Sequence, residues 1–124
     1  LVPRTLEALR QVGAPSFLTV LKRFGPSNPA PLSFPIPGWT LAADVPAAVP
    51  GLLDVLDQLD EEVATAGGRL YLAKDSRQPG KMFHKSYVRL EDWQSLISKL
   101  YPNITSSSCM AERLDMLNHQ GPYE

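Results

Sequence analysis

SFLTVLKRFGPSNPAPLSFPIPGWTLAADVP, Ser16 to Pro46, decides the fold of this chain. Its first nine residues alternate: Phe17, Thr19 and Leu21 point one way, and Leu18, Val20, Lys22 and Phe24 the other, the period of a strand. Both sets are partly apolar, so helices are expected on one side and a ligand or second layer on the other. From Gly25 to Gly38 the chain carries Pro26, Pro29, Pro31, Pro35 and Pro37, which forbid regular structure and give a stiff, extended connection. Leu32, Phe34 and Ile36 make it too apolar for a flexible linker. Trp39 to Pro46 then reads as a second strand, so the stretch as a whole predicts two strands joined by a long crossing.

Upstream, Leu1 to Pro3 reads as the end of a strand, and Thr5 to Val12 sets Leu6, Leu9 and Val12 on one helical face before Gly13 stops the helix. Downstream, Pro50 to Ala66 is a long amphipathic helix. Leu52, Leu53, Leu56, Leu59 and Val63 lie along one side, and Asp54, Asp57, Asp60, Glu61 and Glu62 make a solvated face. Gly67 and Gly68 end it in the left-handed conformation that glycine adopts cheaply. Arg69 to Ala73 then reads as a strand that delivers Tyr71 and, at its tip, Lys74. The order is βαββαβ, a ferredoxin-like antiparallel sheet with helices on one face, and the class is α+β. C-terminal helices follow: a turn near Lys81 to Tyr87, a helix from Glu91 to Leu100, and a last helix within Ala111 to Leu117.

Composition narrows the function classes. The chain has 124 residues, 44% hydrophobic and 20% charged, enough for one domain with a core. Twelve basic and 13 acidic residues leave a net charge of −1, which gives no electrostatic case for nucleic acid. One cysteine, Cys109, excludes an internal disulfide and a multi-cysteine metal site. It stands in a serine run without a matched histidine, so it is read as an ordinary thiol. His84 is expected to pack or hydrogen-bond, His119 falls in a tail, and two isolated histidines make no metal site. No apolar run reaches bilayer-spanning length, so a cytoplasmic chain is expected, or one peripheral at the membrane, including its periplasmic face. The opening Leu1-Val2-Pro3 without a methionine reads as a fragment.

Ser16 to Pro46, together with GGRLYLAKDSR (Gly67 to Arg77), MFHKSYVRLEDW (Met82 to Trp93) and MAERL (Met110 to Leu114), resembles the C-terminal part of a family of FAD-linked oxidases. These are the aldonolactone oxidases of the vanillyl-alcohol oxidase type, including the flavoprotein oxidase subunits of lipid-linked ribose 2-epimerases. The resemblance implies that residues 1–114 are a substrate domain lying over a flavin held by a separate N-terminal FAD domain, with 115–124 a tail. It implies hydride removal from the 2′-hydroxyl of a lipid-linked ribose onto FAD, giving a keto sugar that a partner reductase converts to the arabinose epimer. It assigns Lys74 to the pyrimidine edge of the flavin, as the catalytic cation, with Tyr71 beside it.

Leu18, Val20, Lys22 and Phe24 match the strand lining the substrate pocket, with Thr40 and Ala42 on the opposite strand. Where some members carry Gly-Trp-Asn-Ile-Cys, this chain has Gly38-Trp39-Thr40-Leu41-Ala42. Ala42 cannot form the adduct that thiol-reactive inhibitors make there, although hydride transfer needs no cysteine. A D-arabinono-1,4-lactone or related sugar-lactone oxidase, and a stand-alone ferredoxin-like binding module that self-associates through its sheet, remain alternatives.

Overall fold

A computed structural model describes residues 1–74 and 77–117. The chain divides into two compact units, one of Leu1–Asn28 and Pro35–Gly68, the other of Pro29–Phe34 and the described residues from Arg69 onward. We call them the hairpin unit and the helical unit. Among the described residues there are two strands and five α-helices, an α+β composition that fits a small ferredoxin-like arrangement.

The hairpin unit begins with α1, Val2–Gln11. Here Leu1 to Pro3, expected as a strand end, is helical instead. Pro3 lies in the first turn, where its fixed φ suits a helix and its missing N–H would have had no partner anyway. Gly13, at φ 78°, ends α1, and the Ala14 amide donates back to the Leu9 carbonyl at 2.9 Å. Strand β1, Leu18–Phe24, pairs antiparallel with β2, Gly38–Asp44, in the register Leu18 to Asp44 and Phe24 to Gly38. Helix α2, Leu52–Thr65, closes at Gly67, φ 76°, with the Gly68 amide on the Val63 carbonyl at 2.8 Å, as the paired glycines predict.

Leu9, Ala14 and Leu52 form the core of this unit, with Val12, Ala43, Val45, Val49 and Leu56 packed around them. Two expectations for α2 change. Leu53 is exposed, because it lies one position off the stripe defined by Leu52, Leu56 and Leu59, and Asp60, expected on the solvated face, is buried.

In the helical unit Arg69 to Ala73 does not form the expected strand. Without sheet partners among the described residues, the segment runs into a 3-10 turn, Leu72–Lys74. Its alternation is real, but the inward residue Leu72 packs on helices and the Leu70 carbonyl accepts from the Tyr87 hydroxyl at 2.8 Å. Side-chain donors thus take the place of a neighbouring strand. Helix α3, Gly80–Ser86, and helix α4, Leu90–Leu100, enclose Phe83, Tyr87 and Leu90.

The last helix, α5, is Cys109–Arg113, starting two residues before the expected Ala111 because the Ser108 hydroxyl caps it by accepting from the Ala111 amide at 3.1 Å. It stops before Leu117. Asp115 takes φ 50° and the Met116 amide returns to the Ala111 carbonyl at 2.9 Å. Leu114 and Met116 then complete the core of this unit. His84, as expected, is a hydrogen-bonding residue: Nε2 lies 3.2 Å from the Leu114 carbonyl and 3.0 Å from that of Asp115. His119 lies outside the described residues. Among the described residues, no helix is long and apolar enough to cross a membrane.

Candidate functional site

The sequence-predicted site residues fall on both units, Tyr71 and Lys74 on the helical unit and the other six on the hairpin. Tyr71 immediately precedes the 3-10 turn, and its ring meets Phe34 edge-on, with centroids 5.1 Å apart. More than half of its surface stays exposed. Lys74 ends the turn and is exposed. Among the described residues no ion pair engages its ammonium. A phenol and an ammonium three residues apart, both presented to solvent, suit an anionic or carbonyl-edged ring system: the ring packs or donates, and the cation neutralises.

The segment bearing this pair is held from behind. The Arg69 guanidinium donates to the Ser86 carbonyl at 3.3 Å and to the Ser33 carbonyl, and lies 5.4 Å from the centroid of the Tyr87 ring. Tyr87 is fully buried and its hydroxyl holds the next carbonyl, that of Leu70. Sequence reasoning missed this clamp. Arg69 read as a strand residue, and neither carbonyl that it holds leaves a signal in the side-chain pattern.

On the hairpin the register brings the other six residues together. Partners directly opposite in an antiparallel pair share a face, so Val20 with Ala42 and Lys22 with Thr40 form one surface, extended by Leu18 at one end and Phe24 at the other. Val20, Phe24 and Thr40 are half-buried, while Leu18, Lys22 and Ala42 are exposed. The opposite face carries the pairs Thr19–Ala43, Leu21–Leu41 and Arg23–Trp39, and through Ala43 it meets the core under α1 and α2. The Arg23 guanidinium lies 6.0 Å from the centroid of the Trp39 ring. At the Phe24 end an open groove of about 500 Å³ is lined by Arg23, Phe24, Gly25, Pro26 and Pro37.

The chemistry of the six-residue face is amphiphilic. Leu18, Val20, Ala42 and Phe24 supply apolar contact, and Lys22 with Thr40 supplies one cation and one hydroxyl at its middle. Such a surface suits a ligand with a hydrocarbon part and an anionic or hydroxylated part. The described residues contain no cluster of three or more histidine, cysteine, aspartate or glutamate side chains able to hold a metal ion. Cys109 is exposed on the first turn of the five-residue α5.

Among known proteins, the chain is 45% identical over 109 residues to the decaprenylphosphoryl-beta-D-ribose oxidase of Mycolicibacterium smegmatis (strain ATCC 700084 / mc(2)155), a match covering 88% of this chain and 24% of that protein. It is 44% identical over 97 residues to an uncharacterized protein in the mprA 5′ region of Streptomyces coelicolor, covering 78% of this chain and 26% of that one. The chain thus spans about a quarter of the length of the curated relatives that it matches. No family model matches it.

Proposed function

We propose that this chain is the substrate domain of an FAD-dependent oxidoreductase that oxidises the 2′-hydroxyl of decaprenylphosphoryl-β-D-ribose in the synthesis of arabinan cell-wall precursors. The observation that carries the reading is the 45% identity running through 88% of the chain to a protein named as that oxidase. The side chains support it: an exposed lysine and tyrosine close together, and a hairpin face that joins apolar contact to a single cation.

Bound FAD, held mainly by an N-terminal domain, would supply the two-electron acceptor. Lys74 would lie at the pyrimidine edge of that ring, where its ammonium would balance negative charge, and Tyr71 would pack or hydrogen-bond beside it. Leu18, Val20, Ala42 and Phe24 bind the apolar part of the substrate, with Lys22 and Thr40 at its polar part. The hydride on the carbon would pass to the bound FAD and the hydroxyl proton to a base on the N-terminal domain or in the neighbourhood of Lys74, leaving a ketone for a partner reductase. A decaprenyl tail belongs in a bilayer, so the complete enzyme works peripherally at a membrane surface.

The test is flavin reduction by the lipid-linked ribose in the complete flavin-loaded protein, followed by rapid mixing. Lys74→Ala should slow it by on the order of 10² to 10³, as removal of one oxyanion-stabilising donor does. A variant that reduces its flavin at the parental rate removes Lys74 from the mechanism. Absence of any reduction by this substrate in the parental protein refutes the assignment itself.

A further inference from the structure

We infer that Arg69 is a positioning residue, which through a clamp on the Ser33 and Ser86 carbonyls and the Tyr87 ring sets the direction in which Tyr71 and Lys74 leave the helical unit. The inference rests on the proposed flavin-edge role of that pair for its catalytic consequence, but its geometry stands independently. Among the described residues, Leu70 to Lys74 has no neighbouring strand to orient it. Three other attachments do so: the Arg69 guanidinium on two carbonyls from separate segments, the Tyr87 hydroxyl on the Leu70 carbonyl at 2.8 Å, and Leu72 in the core. Two of the three converge on Tyr87, which is fully buried and lies 5.4 Å beneath the guanidinium.

The clamp also fixes the far wall of Tyr71. Arg69 holds the carbonyl of Ser33, and the next residue is Phe34, whose ring contacts Tyr71 at 5.1 Å. One guanidinium therefore anchors both the segment that carries Tyr71 and the segment that carries its aromatic partner. Lysine cannot replace it, because an ammonium has neither the planar fork needed for two carbonyls in different directions nor the flat face that stacks on a ring.

Two arms test the inference. In the 124-residue chain, NMR contacts between the Tyr71 and Phe34 rings should be strong in the parent and lost in Arg69→Lys, while Phe83 and Leu114 keep their core contacts. Tyr87→Phe, which deletes the hydroxyl and keeps the ring, should weaken the same contacts and serves if Arg69→Lys does not fold. Ring contacts unchanged in both variants overturn the inference, whatever the cofactor.

In the complete flavin-loaded protein, Arg69→Lys should reduce the rate of flavin reduction by about tenfold to 10²-fold with KM nearly unchanged, the effect of misplacing a catalytic group by about 1 Å. It should add nothing further in a Lys74→Ala background, because it acts through Lys74. Full multiplication of the two effects refutes action through Lys74. If Lys74→Ala alone changes nothing, the flavin-edge reading fails and the ring-contact arm still decides the role of Arg69.

Discussion

Phe83, Tyr87 and Leu114 in the helical unit are wholly enclosed, whereas Phe17 and Trp39 on the hairpin are 87% and 63% exposed. The rings among these are treated oppositely, although each unit also holds the other kind: Leu9 and Leu52 are buried in the hairpin unit, and Val88 and Tyr101 are exposed in the helical unit. Three helices and two loop segments can surround an aromatic ring on every side. A two-stranded ribbon has two faces and two edges, and a core packed under one end of it covers little of either. The difference teaches where each unit can work. The rings enclosed in the helical unit help to hold a short, directed segment, while those on the hairpin stay available for contact with a ligand or another protein surface.

The strongest way to break this contrast is to truncate one ring in each unit. Phe83→Ala should lower unfolding free energy by about 3–5 kcal/mol, the cost of deleting an enclosed phenylalanine. Phe17→Ala should stay within about 0.5 kcal/mol, as exposed substitutions do. Urea unfolding of the 124-residue chain measures both, and equal losses would mean that Phe17 is buried in solution.

A smaller effect comes from a single methyl group. At Gly80 a Cβ would lie 3.2 Å from the backbone of Leu114, which cannot swing aside, so Gly80→Ala should cost about 1–3 kcal/mol. At Gly25, by the end of the hairpin, a Cβ would meet nothing within 4 Å, and Gly25→Ala should stabilise by about 0.4–1 kcal/mol through the unfolded chain. The same unfolding curves test the pair, and a neutral Gly80→Ala would show that α3 and Leu114 pack more loosely than described.

Self-association sharpens the contrast from the outside. We propose that the isolated chain pairs with a second copy through its hairpin, given the exposed Leu18, Leu21 and Trp39 on two strands that pair only with each other among the described residues. Sedimentation at roughly 100 μM should show dimers or larger species, and Trp39→Lys should weaken association about tenfold or more, equal to about 1.4 kcal/mol. A clean monomer at that concentration would contradict the proposal.

The smallest expected effect is electrostatic and lies on α1. Glu7 accepts two hydrogen bonds from Arg10, at 2.7 and 2.8 Å, and one from Gln11 at 2.8 Å. The Arg10 bonds chiefly, with that from Gln11, bring its carboxyl down to about 2. A depressed folded value means that the stabilisation is complete above the ordinary 4.5 and disappears as pH falls toward 2. Solvent exposure keeps its size small. An NMR titration of the Glu7 carboxyl with a midpoint near 4.5 would remove the interaction.

Elements that declare themselves through their own side chains were legible. The strand alternation in β1, the stripe in α2 and the stops at Gly13 and Gly67 each depend on residues close in sequence, and the structure follows them. Part of the candidate face was equally accessible, since alternation within β1 groups Leu18, Val20, Lys22 and Phe24, whereas Thr40 and Ala42 came from the family resemblance. Cross-strand register then joins the two sets. Arg69 to Ala73 shows where such reading stops: its period-2 pattern is consistent with a strand, but a strand also needs a backbone partner, and local sequence does not say whether one is there. Leu1 to Pro3 shows it again, since a proline near a chain start suits both an extended segment and a first helical turn.

The sequence by itself determined the α+β class, the hairpin and the approximate limits of α2 and α4, because propensity, periodicity and glycine conformation act over a few residues. Only the tertiary structure decided that Tyr71 and Lys74 sit at a 3-10 turn, that Arg69 and Tyr87 fasten the segment before it, and that Asp60 is buried while Leu53 is exposed. Those outcomes depend on which carbonyl, ring or helix approaches from far along the chain. Ser33 and Arg69 are separated by 36 residues, and their hydrogen bond forms because two different segments are anchored at the same buried core.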